Sequence, residues 1–207
     1  MTSSIGRRDL FRLGGQKAAE IASQLASAKA AKRAEGWVRP PFALDELDFL
    51  LSCTRCDKCI EACPHDVLFA LPERAGRHAA GTPAMDLLRH GCHMCTDWPC
   101  AAACEPDALK LPEADADQPP AAPKLAVATI DRTTCLPYSG PECGACAGSC
   151  PVPGALNWEG GVRPVIDPES CTGCALCREA CILDPKAIQI SALVSGGKAA
   201  AASDAKS

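Results

Sequence analysis

The sequence predicts an α+β protein built from two similar halves, each with short hairpins and short helices. Three observations lead to this prediction: sixteen cysteines recur in groups, 207 residues suffice for two small units, and large apolar side chains are scarce. Aromatic residues make up only 4% of the chain, which excludes an ordinary core of bulky side chains. The halves must therefore be held together in another way, and the cysteines offer one.

All the cysteines lie between positions 53 and 181, in four groups of four. In chain order, groups one to four are Cys53, Cys56, Cys59 and Cys63; Cys92, Cys95, Cys100 and Cys104; Cys135, Cys143, Cys146 and Cys150; and Cys171, Cys174, Cys177 and Cys181. A short segment of strand-like composition follows each group, at residues 67–69, 108–111, 155–158 and 187–190. A pattern that recurs four times indicates duplication of one small unit.

The spacing of groups one and four is Cys-x2-Cys-x2-Cys-x3-Cys, which is typical of [4Fe-4S] clusters whose fourth cysteine ligates the other cluster of a pair. Structural zinc, which usually takes two separated pairs of ligands, and disulfides, which need an oxidising compartment, are the alternatives. Groups two and three contain wider gaps but keep the Cys-x3-Cys ending. We expect the sixteen cysteines to bind four [4Fe-4S] clusters in tandem, two-cluster, ferredoxin-like halves.

Two pairings of the groups are possible. Sequential pairing joins one with two and three with four, and is favoured because only residues 151–170 separate groups three and four. Nested pairing, one with four and two with three, is the alternative. The predicted organisation is an N-terminal arm (1–40), a first half (41–112), a linker rich in Pro and Ala (113–123), a second half (124–190) and a disordered tail (191–207).

The charge of the chain excludes some classes of function. A net charge of −4 argues against a nucleic-acid-binding protein, which would present a basic surface. Four oxidised clusters would bring the net charge to about −12, so a protein partner is expected to present a basic face. No apolar run approaches the roughly 20 residues that span a bilayer.

No nucleophile–base pair, phosphate-binding loop or other catalytic motif is visible, so the sequence predicts an electron carrier or accessory protein rather than an enzyme. The four histidines are interpreted as surface residues or neighbours of the ligands. Trp98 and Trp158, which lie near cysteine groups, are interpreted as shields that keep water from the clusters.

The N-terminus bears on the cellular compartment. Arg7-Arg8 is similar to the arginine pair of a twin-arginine export signal, but such a signal also needs an uninterrupted apolar region. Charged residues such as Lys17 and Glu20 interrupt the segment that follows, and residues 16–33 are predicted to form an amphipathic helix. The prediction is a cytoplasmic protein, with export to the periplasm as the alternative.

Several residues outside the cysteines carry a family resemblance. They are Arg7-Arg8, Val38-Arg39-Pro40-Pro41, Thr54-Arg55 within group one, Leu136 and Glu142 within group three, and Arg163-Pro164 before group four. Over most of residues 5–190 the sequence resembles the NapF-type ferredoxins, the accessory proteins of periplasmic nitrate reductase systems. Group two departs from that pattern, because Pro99 in the gap between Cys95 and Cys100 resembles the exported NapG and MauM proteins instead.

The resemblance implies two classes of function. In the first, the protein binds the precursor of the molybdenum-containing nitrate reductase catalytic subunit in the cytoplasm and assists assembly of its cofactors before export. In the second, it is an electron-transfer subunit that passes electrons from a quinol-oxidising membrane partner to a reductase. Neither class requires a substrate site on this chain.

Overall fold

Short helices and strands alternate along the computed structural model, which describes residues 37–113 and 120–194 together with positions 21, 24, 25, 198 and 199. The helices with described bounds are α1 (Glu46–Ser52), α2 (Lys58–Glu61), a 3-10 helix (Glu73–Ala75), α3 (Pro99–Ala102), α4 (Leu136–Ser139) and α5 (Leu176–Ala180). The strands are β1 (Leu68–Ala70), β2 (Pro83–Met85), β3 (Ala126–Ile130), β4 (Leu156–Glu159), β5 (Arg163–Ile166), β6 (Ile188–Val194) and β7 (Lys198–Ala199). In these described parts, no helix has the length and apolar character needed to cross a membrane.

Antiparallel pairs of strands organise both halves. β1 pairs with β2 in the first half, and β4 pairs with β5 in the second. The longest ladder joins β3 to β6, from Ala126 opposite Ala192 to Ile130 opposite Ile188. Because β3 precedes group three and β6 follows group four, this ladder closes the segment that contains both groups. β7 adds to the free end of β6.

Most of the predicted strand segments form strands, and the exception has a physical cause. Residues 68–69, 156–158 and 188–190 lie in β1, β4 and β6. The prediction of a strand at 108–111 is wrong, since this segment forms only an isolated bridge between Leu109 and Ala43. Its partner segment turns at Phe42, whose φ of 62° lies in the left-handed region and prevents a longer ladder.

The boundaries predicted for the terminal segments shift in the structure. β6 continues past residue 190 to Val194, because Ala192 pairs with Ala126 of β3. The tail therefore does not begin at residue 191. Ile21, Gln24 and Leu25 are helical, whereas Arg7, Arg8, the rest of the predicted helix at 16–33 and residues 114–119 of the predicted linker lie outside the described residues.

Residues 37–40 were predicted to belong to the N-terminal arm, but they pack on the first half, just before α1. Val38 bridges to Met85 of β2, and Pro40 is fully buried. The Arg39 guanidinium donates two hydrogen bonds to the Glu46 carboxylate, at 2.9 and 2.6 Å, and one to the Thr82 hydroxyl at 2.8 Å. This largely buried, bidentate ion pair fixes the start of α1 relative to the hairpin.

One apolar core spans both halves of the chain. Phe49 of α1, Leu109 and Trp98 are buried together with Leu125 and Ala126 at the start of the second half. Because side chains of the two halves share this core, the halves hold a defined position relative to one another.

Backbone contacts between groups two and four reinforce the shared core, and we call this region the junction. The Cys92 N–H donates to the Cys174 carbonyl oxygen at 2.8 Å, and the Gly91 N–H donates to Glu179 Oε2 at 2.7 Å. A Cβ atom at Gly91 would lie only 2.7 Å from the Leu176 backbone nitrogen. The absence of a side chain at this position therefore permits the close approach of the two halves.

Candidate metal centres

Three cysteines of group one meet the last cysteine of group two. Cys53, Cys56, Cys59 and Cys104 line one cavity of about 330 Å³, its opening included. The first two thiols lie on the loop between α1 and α2, the third lies on α2, and Cys104 follows α3. We call this quartet site 1.

The exchange is reciprocal, because the last cysteine of group one joins the other three of group two. Cys63, Cys92, Cys95 and Cys100 line a cavity of about 370 Å³, and we call this quartet site 2. Buried Trp98 lines the same cavity and packs edge-on against Phe42, with 4.9 Å between ring centroids. The shielding role of Trp98 stays a prediction.

The second half repeats the arrangement. Cys150 of group three joins Cys171, Cys174 and Cys177 of group four around a cavity of about 320 Å³, which we call site 4. All three cavities are lined by four cysteines together with apolar side chains, so they suit the same occupant.

The remaining four cysteines form site 3. Burial raises the pKa of Cys135 and of Cys146, and the nearby thiols of Cys143 and Cys181 raise both further. Cys181 of group four thus lies close to the first three cysteines of group three. In each half, the fourth cysteine of each group thus lies with cysteines of the neighbouring group.

Left-handed backbone turns shape the cysteine loops in three of the groups. A residue with φ between 52° and 73° precedes the second cysteine, and one with φ between 45° and 70° stands two positions before the third. These residues are Arg55 and Asp57 in group one, Met94 and Trp98 in group two, and Gly173 and Ala175 in group four. Alternating right- and left-handed residues point successive N–H groups into one concavity, as in many iron–sulfur and phosphate sites.

Backbone N–H groups in and near the cysteine loops contact cysteine sulfur atoms. The Gly173 N–H donates to Cys171 Sγ at 3.4 Å, and the Leu109 N–H donates to Cys104 Sγ at 3.3 Å. The Lys58 N–H and then the Thr54 hydroxyl lower the pKa of Cys56 by hydrogen bonding to its sulfur. Donors aimed at sulfur stabilise negative charge there, which raises the potential of a cluster.

The buried thiols need a positive counter-charge to ionise. Burial, followed by the charge of a neighbouring thiol, raises the pKa of Cys59 to about 11 and those of Cys100 and Cys177 to about 12. Such thiols stay protonated near neutral pH unless a metal binds them, and metal binding releases their protons.

Two aspartates fix the turns that lead into groups three and four. Asp131 Oδ1 accepts hydrogen bonds from the Thr133 N–H at 2.9 Å and hydroxyl at 2.6 Å, which holds the pKa of Asp131 at about 2. Asp167 repeats this turn, because its Oδ1 accepts from the Glu169 N–H at 3.2 Å and its Oδ2 accepts from the Ser170 hydroxyl, as Asp131 Oδ2 does from the Thr134 hydroxyl. Each aspartate stands four residues before the first cysteine of its group, so the duplication extends beyond the cysteines themselves.

The quartets suit a multi-atom cluster better than a single ion. A tetrahedral zinc ion, with Zn–S bonds of about 2.3 Å, would bring its sulfurs within about 4 Å of one another. Within the described residues, no three His, Cys, Asp or Glu side chains converge closely enough to hold one metal ion. Burial raises the pKa of Cys174, and the buried Thr172 hydroxyl, which lines site 4, partly offsets this by hydrogen bonding toward the Cys174 sulfur.

Thr54 and Thr172 are neighbours of the sites that sequence reasoning missed. Both occupy the second position of a Cys-Thr-x-Cys run, and this recurrence was the available signal. The predicted surface position is confirmed for His65 and His93, which are exposed and stack beside site 2 with 3.6 Å between ring centroids. Trp158 packs near Cys146, and its shielding role stays a prediction.

Known proteins share both the cysteine pattern and much of the remaining sequence. The 4Fe-4S binding domain family matches residues 51–69, which include all of group one. The chain is 39% identical to the methylamine utilization ferredoxin-type protein MauM of Paracoccus denitrificans, over 74% of this chain and 70% of that protein. It is 34% identical to the ferredoxin-type protein NapG of Escherichia coli, over 88% of this chain and 82% of that protein. The chain belongs to this ferredoxin-type 4Fe-4S family.

The NapF-type ferredoxins, which the sequence was predicted to resemble, are also among the related proteins. NapF of Escherichia coli is 33% identical over 72% of this chain and 83% of that protein. The comparisons thus support the broad family and do not single out NapF. No solved structure matches the chain.

Proposed function

We propose that the protein carries electrons one at a time through four [4Fe-4S] clusters, one at each of sites 1 to 4. The observation that carries this proposal is the reciprocal exchange of the fourth cysteine, which builds each quartet from three thiols of one group and one thiol of its neighbour. Two-cluster ferredoxins ligate their clusters in this way.

A bound cluster supplies a one-electron centre, and the residues of the chain control its surroundings. Buried Trp98, Leu109 and Ala155 exclude water from three of the sites. Backbone N–H groups aimed at sulfur stabilise the added negative charge of the reduced state.

The order of the sites defines a path for the electron. Sites 1 and 2 share groups one and two, and sites 3 and 4 share groups three and four. Sites 2 and 4 meet at the junction, where the Cys92 N–H binds the Cys174 carbonyl. Electrons therefore move along the order 1, 2, 4, 3 in either direction.

Anaerobic reconstitution tests the proposal. We expect about 16 iron atoms and as many sulfides per chain, a brown protein, and magnetically coupled EPR signals after reduction. An iron content near four or eight per chain, or a well-folded protein that takes up zinc in place of iron, would contradict it.

The proposed physiological role is electron transfer between a quinol-oxidising membrane partner and a reductase, in the manner expected for a MauM- or NapG-like protein. Similarity to both of these proteins over most of the chain supports this role. Tagged holoprotein should then co-purify with a membrane protein from detergent extracts and reduce an acceptor enzyme when quinol is supplied.

Maturation of a molybdenum-containing nitrate reductase is the second candidate role, and the similarity to NapF favours it. In that role the protein binds the unexported precursor of the catalytic subunit in a cytosolic extract. A fusion of residues 1–40 to a reporter separates the two roles, because export of the reporter is incompatible with a cytoplasmic maturation factor.

A further inference from the structure

The four sites differ in how far their cysteine loops face solvent. Residues 54–58 of the site 1 loop are all exposed, and Cys56 is the one exposed cysteine of the sixteen. The corresponding residues of site 4, 172–175, are buried against β3 and the junction. An external redox centre can thus reach a cysteine of site 1 directly, through the exposed Cys56.

Exposed apolar and acidic side chains flank the exposed cysteine along the chain. Leu51, two residues before Cys53, is 77% exposed on the last turn of α1. Asp57 and Glu61 are exposed and form no ion pair among the described residues. We call Leu51, Thr54, Cys56, Asp57 and Glu61 the group-one surface.

The cations next to this surface have other partners. Lys58 is paired with Glu105. The Arg55 guanidinium donates to the carbonyl oxygens of His78 and Ala80, at 2.9 and 3.0 Å, which holds it back against the turn at residues 78–81. Arg55 and Lys58 keep their positive charges, but Asp57, Glu61 and Glu105 outnumber them. The formal charge of these five residues is therefore −1, on a chain whose net charge is −4.

We propose that the group-one surface is the docking site for a redox protein that presents a basic face around its own one-electron centre. This inference rests on the proposed electron-carrying function and adds the place at which electrons enter or leave. The exposed Leu51 side chain gives the partner an apolar contact, and the two carboxylates give it electrostatic attraction. Close approach to Cys56 brings the partner's centre next to a cysteine that lines site 1.

Cytochrome c, a basic one-electron protein, is the probe for this proposal. The reduced holoprotein is mixed with oxidised cytochrome c in a stopped-flow instrument at low ionic strength. The D57N/E61Q variant should reduce cytochrome c about threefold to tenfold more slowly, and the difference should shrink as salt is added. Asparagine suits position 57, where φ is 59°.

A matched variant controls for net charge. D66N/E73Q also removes one exposed left-handed aspartate and one exposed glutamate, but away from the group-one surface. It should leave the rate within twofold of the unmodified protein. Leu51→Ala should slow the reaction at every salt concentration, whereas Ile182→Ala, which removes an exposed side chain beside site 3, should not.

The outcomes distinguish a failure of the docking proposal from a failure of the proposed electron-carrying function. The proposal is overturned if both double variants slow the reaction equally, if neither does, or if Ile182→Ala slows it more than Leu51→Ala. Iron content and the number of electrons accepted on reductive titration are measured for every variant. If unmodified holoprotein lacks iron or takes up no electrons, the proposed function itself fails.

Discussion

The fourth cysteine of each group decides which site a substitution damages. In Cys104→Ala, site 1 loses a ligand although the substitution lies in group two. We expect the freed thiols to become reactive toward iodoacetamide, so that mass spectrometry finds alkylation at Cys53, Cys56 and Cys59. Site 2 keeps all of its ligands and should stay protected.

Cys63→Ala is the matched control, because it removes the corresponding ligand of site 2. It should expose Cys92, Cys95 and Cys100 and leave site 1 protected. Alkylation confined to the group that carries the substitution, in either variant, would contradict the exchange of ligands.

The buried Thr172 hydroxyl gives a second residue-level prediction. Thr172→Val keeps the shape of the side chain and removes its donor from site 4. Loss of one hydrogen bond to sulfur, worth about 0.5–1.5 kcal/mol, should lower the reduction potential of one cluster by tens of mV. Potentiometric titration followed by EPR measures this change.

Thr54→Val is the control for that titration, because Thr54 occupies the same position in group one but is exposed. Water replaces its hydrogen bond, so its shift should be smaller. Equal shifts in the two variants, or none in Thr172→Val, would show that the buried hydroxyl does not act on a cluster.

Contacts between elements set the distance between sites 2 and 4. In Gly91→Ala, the new Cβ would lie 2.7 and 2.8 Å from the Leu176 backbone, which cannot move without displacing α5. We expect the junction to loosen at a cost of about 1–3 kcal/mol, with iron content retained and weaker magnetic coupling between the halves. Thermal denaturation and EPR of the reduced protein measure the two effects.

Gly144→Ala provides the comparison. Gly144 also stands next to a ligand, Cys143, but a Cβ atom there meets nothing within 4 Å. The variant should match the unmodified protein in stability and in EPR spectrum. If Gly91→Ala behaves in the same way, the junction does not hold the halves at a fixed distance.

Sequence reasoning succeeded where the structure depends on local spacing. The intervals between cysteines, the strand segments after groups one, three and four, and the exposed histidines all follow from short runs of residues. It failed at residues 108–111, because the bend at Phe42 in a distant segment limits their pairing to one bridge. The close contact of Gly91 with Leu176 also joins remote parts of the chain and leaves no periodic signal.

At the scale of the whole molecule, the described residues form little core apart from the sites. Phe49 and Leu109 are among its largest fully buried side chains, and several of the other buried residues are alanines or the cysteines themselves. The two halves share one apolar cluster, so neither is expected to fold alone. Stability must therefore depend on whatever fills the sites.

Removal of the clusters should unfold the protein. Cysteines and apolar side chains line three of the sites, and they lose their packing partner when the cluster is removed. Because a protein of this size is stable by only about 5–15 kcal/mol, the loss of ligation and packing together exceeds what the remaining core supplies. Far-ultraviolet circular dichroism of anaerobic, chelator-stripped protein should show loss of the β3–β6 ladder, and reconstitution with iron and sulfide should restore it. A stripped sample with the spectrum of the loaded protein would mean that apolar packing alone determines the fold, since the sites would then be dispensable for it.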